Sequence, residues 1–163
     1  MKKITQLFVL VIMLFNYKCA TKEKVHTKNH VILDFKDCDS KEKQYDFIQI
    51  DITKDFKKDK MINDAFCEYR FINKDKSIVY VSSDIYRGSR LNYKNLYNIG
   101  IDGYYHRRTM FSDTIKNQGK DTQNLYWLEY VLGDVVIGYT KVSEENKQKY
   151  DTIISSLKRV KKS

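Results

Sequence analysis

The stretch "NLYWLEYVLGDVVIGYTKVSEENKQKYDTIISSLK", residues 124–158, constrains the fold more than any other part of the chain. Two runs rich in β-branched and aromatic residues flank Gly133-Asp134, a two-residue connection with the composition that hairpin turns demand. Strand alternation in the first run puts Leu125, Trp127, Glu129 and Val131 on one face, and Tyr126, Leu128, Tyr130 and Leu132 on the other. Apolar side chains on both faces predict a central strand. Ser143 then stands where an N-cap belongs, with Glu144 and Glu145 in a first turn whose dipole favours anions. Tyr150, Ile153, Ile154, Leu157 and Val160 recur at helical spacing, and Lys158, Arg159, Lys161 and Lys162 crowd the expected last turn. The unit is predicted to be a β-hairpin followed by a C-terminal helix.

Upstream, "VILDF" (31–35) and "YDFIQID" (45–51) have strand composition, and the charged "KDCDSKEKQ" between them reads as a loop. Residues 52–66 fit either a helical turn or an irregular crossing. "CEYRFIN" and "SIVYVSS" enclose the turn signal "NKDK" and predict a second hairpin. Leu91, Leu96, Tyr97 and Ile99 can share a helical face that Gly100 closes, so residues 90–99 are expected to be helical. A strand at 104–112 followed by a loop is expected next. The fold class is therefore α+β: an antiparallel sheet of about five to seven strands packed against helices. At 163 residues, with 42% hydrophobic and 13% aromatic residues, the chain can bury one core in one domain.

The N-terminus speaks of export. Lys2 and Lys3 precede Leu7–Phe15, an apolar run of signal-peptide length that falls short of a bilayer span. The layout of "FNYKCAT" resembles a bacterial lipoprotein leader, although Asn16, Tyr17 and Lys18 replace the usual leucine and two small residues. The resemblance implies a signal peptide at 1–18, a lipid on Cys19, a polar tether at 19–30 and the folded domain at 31–163. Its location would be the cell membrane or outer membrane, with the domain outside the cytoplasm; an uncleaved leader serving as a weak anchor is the alternative. Lipidation of Cys19 leaves Cys38 and Cys67, which either pair in an oxidising compartment or sit as separate buried thiols.

The hairpin in "EYRFINKDKSIVYVSS", the segment "LNYKNLYNIG" and the ending "DTIISSLK" together resemble the PsbP-like α/β sandwich family over roughly residues 45–160. "IDITKDF" lacks the proline that such proteins often carry in the opening strand. The resemblance implies an antiparallel sheet covered by helices and a non-enzymatic binding or assembly role.

No HExxH, CxxC, GxSxG or phosphate-loop pattern occurs, so no catalytic residue, metal or cofactor is called for. His26 and His30 fall in the expected tether and read as solvated, and Arg107 and Arg108 beside His106 disfavour it as a ligand. Arg87 and Arg90 in "RGSR", with Arg107 and Arg108, form a contact for an anion or a partner if the fold gathers them; a plain turn is the alternative. The net charge of +9 suits weak attraction to anionic surfaces and does not by itself indicate nucleic acid. The function expected is a lipid-anchored binding or assembly protein of the cell envelope, with a protein or anionic surface as partner. An envelope hydrolase with an unrecognised site, and an adaptor with an uncleaved leader, are the alternatives.

Overall fold

The computed structural model describes residues 28–35, 47–62, 67–104 and 114–160. Within them lie strands β1 (Lys28–Leu33), β2 (Phe47–Thr53), β3 (Lys57–Ile62), β4 (Cys67–Ile72) and β5 (Ile78–Ser82). The short helix α1 (Tyr93–Asn98) follows, then β6 (Thr114–Lys120), β7 (Tyr126–Leu132), β8 (Val135–Val142), helix α2 (Lys147–Ser155) and β9 (Lys158–Val160). The strands form two antiparallel sheets, one ordered β3-β4-β5-β8-β7-β6 and the other β1-β2-β9. The class is mixed but rich in sheet, with only short helices among the described residues.

The larger sheet is two meanders, β3-β4-β5 and β6-β7-β8, joined where β5 pairs with β8. Both expected hairpins are present: β4 and β5 pair around the 73–77 turn, and Gly133, at φ +62, turns β7 into β8. β7 lies between β8 and β6, the interior position that its two apolar faces predict. In β8 a bulge leaves Lys141 at φ +59 and exposed, while every other residue of the strand stays buried.

Each face of this sheet carries its own core. On one, Tyr69, Val81, Leu128, Ile137 and Tyr139 meet Ile48, Ile50 and Ile52 of β2 and Tyr150, Ile153 and Ile154 of α2. Edge-on ring contacts run through it, with Tyr150 5.8 Å from Tyr139 and 5.7 Å from Phe56. On the other face, the chain between β5 and β6 lays Ile85, Leu96, Ile101 and Tyr104 over Tyr80, Trp127, Val131 and Val136.

Several expectations need correction. The antiparallel sheet is two sheets, of six and three strands. Residues 57–62, within the stretch read as a turn or crossing, form the edge strand β3; its exposed Lys57, Lys58 and Asp59 hide the strand signal, as charged edges do. Lys28–His30, assigned to the tether, already belong to β1 and pair with Asp51–Thr53. The C-terminal helix stops at Ser155, and Lys158–Val160 pair with Phe47–Gln49 instead of continuing it. Ser156 makes the break: its hydroxyl donates to the Ile153 carbonyl and accepts from the Asp51 backbone N–H at 2.9 Å, turning the chain onto β2. Ser143 caps a single 3-10 turn, Glu144–Asn146, without a side-chain bond to its backbone. The expected helix at 90–99 is the shorter α1, followed by Gly100 at φ +79. Tyr104 lies outside any strand, and the rest of the expected 104–112 strand lies outside the described residues. No helix among the described residues is long and apolar enough to cross a membrane, and residues 1–27 lie outside them.

Candidate functional site

One lateral row crosses all six strands of the larger sheet: Asp59, Arg70, Tyr80, Gly138, Glu129 and Asn117, each directly opposite the next. Cross-strand partners share a face, so the row places Glu129 in the middle of the second core. Gly138 makes the row work. A Cβ there would lie 2.4 Å from the Tyr80 hydroxyl and 2.2 Å from the Leu128 carbonyl oxygen. Without a side chain, β8 lets the Tyr80 ring pass over it and reach β7.

Glu129 is wholly buried and accepts hydrogen bonds from three donors. The Tyr80 hydroxyl donates to Oε2 at 2.5 Å, the Ser89 backbone N–H to Oε2 at 3.0 Å, and the Tyr104 hydroxyl to Oε1 at 2.8 Å. Burial pushes the carboxyl up to about 7; the three donors pull it back down, and the neighbouring Glu68 charge adds to the rise. Burial and the Glu129 charge also hold the Tyr80 phenol well above its ordinary range. Asn92 extends the network, its amide donating to the Tyr80 hydroxyl at 2.8 Å and the Tyr139 carbonyl at 3.0 Å. Asn117 donates to Tyr104 at 3.0 Å. Further along the same face, buried Glu68 accepts from Arg70 Nε at 2.5 Å, and its Oε2 has no hydrogen-bond partner among the described residues.

Through Ser89, Asn92 and Tyr104, this network fixes the inner side of the 84–104 segment. Gly88, at φ +76, packs so closely that a Cβ would lie 2.2 Å from Glu129 Oε1. The outer side of the same segment forms a half-open pocket of about 860 Å³. Arg87 and Arg90 line it, with Tyr86 and Tyr93 as aromatic walls and Asp84, Gly88, Asp102 and Gly103 beside them among the described residues. Both carboxylates are engaged locally: Asp84 accepts the N–H groups of Tyr86 and Arg87, and Asp102 accepts the Tyr93 hydroxyl at 3.1 Å. The Arg87 guanidinium has no ion-pair partner among the described residues.

The fold thus brings Arg87 and Arg90 to one pocket, while Arg107 and Arg108 lie outside the described residues. Cys67 is fully buried and disulfide-bonded, and Cys19 and Cys38, the chain's other cysteines, lie outside the described residues. His30 sits in β1 with Nδ1 2.6 Å from Asp51, not in a tether, and His26 and His106 lie outside the described residues. No cluster able to hold a metal occurs among the described residues. Sequence reasoning passed over Tyr80, Asn92 and Tyr104, and placed Glu129 on a strand face without a role. The available signal was a single acid inside the apolar run "YWLEYVL". Compared with protein-family models, with curated proteins and with solved structures, the chain matches none.

Proposed function

We propose that the chain is an exported, lipid-anchored binding or assembly protein of the cell envelope, and that the pocket over the 84–104 segment is its contact site. The observation that carries the reading is the convergence of Arg87 and Arg90 on a pocket whose floor is pinned to the sheet by a buried hydrogen-bond network. Preorganised polar groups over a rigid floor are what a binding site needs, because little ordering entropy is lost on association. The leader before Cys19 supports export, and a disulfide at Cys67 accords with an oxidising compartment. In this reading Cys38 is the partner of Cys67, and the two sheets with α2 are a sandwich of the PsbP-like kind. Partners are an envelope protein or an anionic surface, without nucleic acid. Asp84 and Asp102, the carboxylates among the pocket's described lining residues, each accept hydrogen bonds from the segment's own donors.

Two experiments test the reading. Cells fed a labelled fatty acid should label the wild type and not Cys19→Ser; an unlabelled wild-type chain removes the anchor. Cross-linking in native membranes should capture a partner that Arg87→Ala together with Arg90→Ala loses. Unchanged capture by that double variant removes the site.

A further inference from the structure

The geometry points to an acidic saccharide chain as the ligand: one carboxylate-bearing sugar in the arginine pocket, and the next sugar on the ring of Tyr97 outside it. This rests on the pocket being the contact site.

The pocket's volume of about 860 Å³ falls in the range of about 300–1,000 Å³ usual for small-molecule sites, and it is half open, so a chain can enter and leave it. Its chemistry is amphipathic in the manner of a sugar ring. Tyr93 offers ring surface and is 46% exposed. Asp84 and Asp102 have lone pairs left for sugar hydroxyls after accepting their internal bonds. Arg87 supplies a planar fork suited to a carboxylate.

The aromatic surface does not stop at the pocket wall. Tyr97 lies one helical turn beyond Tyr93, stacked with its ring centroid 6.5 Å away, and is the most exposed large apolar side chain described, at 63%. The two stacked rings present an exposed aromatic surface that continues from the pocket wall. A ligand held in the pocket and extended by one unit would cover Tyr97. Phosphate polymers fit less well, because the pocket that holds Arg87 and Arg90 also holds Asp84 and Asp102, which repel dense negative charge. A saccharide with one charge per ring meets that mixture better.

Calorimetric titration of the full-length protein in detergent tests this with four probes: galacturonic acid, its linear tetramer, the neutral galactose tetramer, and linear polyphosphate matched in charge to the acidic tetramer. The acidic tetramer should bind about tenfold more tightly than the acidic monomer. Arg87→Ala should weaken both acidic probes. Tyr97→Ala should weaken only the tetramer, by about five- to tenfold, the scale of one lost aromatic contact. Tyr97 is on the surface, so that variant keeps the fold. Equal binding of monomer and tetramer, equal binding of the neutral tetramer, or tighter binding of polyphosphate would each overturn the assignment. If no probe binds while the double arginine variant still loses membrane capture, the saccharide is wrong and the site stands. If that variant loses nothing, the site itself falls.

Discussion

On one face of the six-stranded sheet, Leu128, Ile137 and Val81 meet Ile50 and Ile154, and apolar side chains predominate, with the hydroxyls of Tyr69, Tyr139 and Tyr150 bonded to Asp34, Asp151 and Ser77. On the other face, Tyr80, Asn92, Tyr104 and Glu129 are buried among Trp127, Val131 and Leu96 and bonded to one another. The first core is held by burial, which is non-directional and tolerates neighbours that shift slightly. The second is conditional: each buried polar atom is stable only while its partner stays within bonding distance. That conditional face carries the pocket. Ser89, whose N–H Glu129 holds, lies between the two pocket arginines, so directional bonds have here a positional use that apolar packing lacks.

The contrast can be broken most severely at Gly138. Gly138→Ala drives a methyl group into the Leu128 carbonyl and the Tyr80 ring, and a clash with backbone cannot be relieved by rotating a side chain. The loss should reach about 4 kcal/mol or more, enough to abolish the folding transition in a denaturant titration. On the apolar face, Ile137→Ala should cost about 2–5 kcal/mol by leaving a cavity, with the same loss at pH 5 and pH 8.

The conditional face should instead respond to pH. Glu129 is near 4.5 when unfolded and about 7 when folded, so between those values folding takes up a proton. Stability from this group is therefore fully present below about 4.5, falls as pH rises through about 7, and is level above, a change of roughly 3 kcal/mol. Glu129→Gln should remove that slope in urea titrations across pH 4.5–8. It should also impose a constant penalty, because the Gln amide sets a donor against Tyr80, Ser89 or Tyr104. A slope that survives in Glu129→Gln would place the titrating group elsewhere.

Tyr80→Phe sharpens the comparison at a single atom. It removes one donor to Glu129 and the acceptor for Asn92, for an expected loss of about 1–3 kcal/mol with the hydrophobic core unchanged. The smallest effect belongs to the surface, where Arg159 pairs with Asp134 and donates to the Leu132 carbonyl. Arg159→Ala should cost less than about 1 kcal/mol in thermal unfolding, and less again in high salt.

Local pattern was legible where a segment's own composition decides its state. Gly133-Asp134 between two β-branched runs could only be a hairpin, and Tyr150, Ile153 and Ile154 declared the buried face of α2. The pattern misled where a partner decides. Leu157 and Val160 continue the helical spacing, yet Ser156 and the open edge of β2 draw the chain into a strand. β3, studded with lysines, is a strand because β4 pairs with it, and nothing in its own residues demands that. Of the candidate site, the glycine in "RGSR" and its two arginines were visible as a turn with charge, but not the pocket they line.

What the sequence by itself determined is the alternation, the turns and the amphipathic helix, because those depend on neighbours a few residues apart. It also carries two lysines and an apolar run ahead of Cys19. Only the tertiary structure decided that Tyr80, Gly138 and Glu129 stand abreast, since register between strands far apart in the chain is set by the whole sheet. The same register puts a carboxylate beneath Ser89, and so holds Arg87 and Arg90 at one opening.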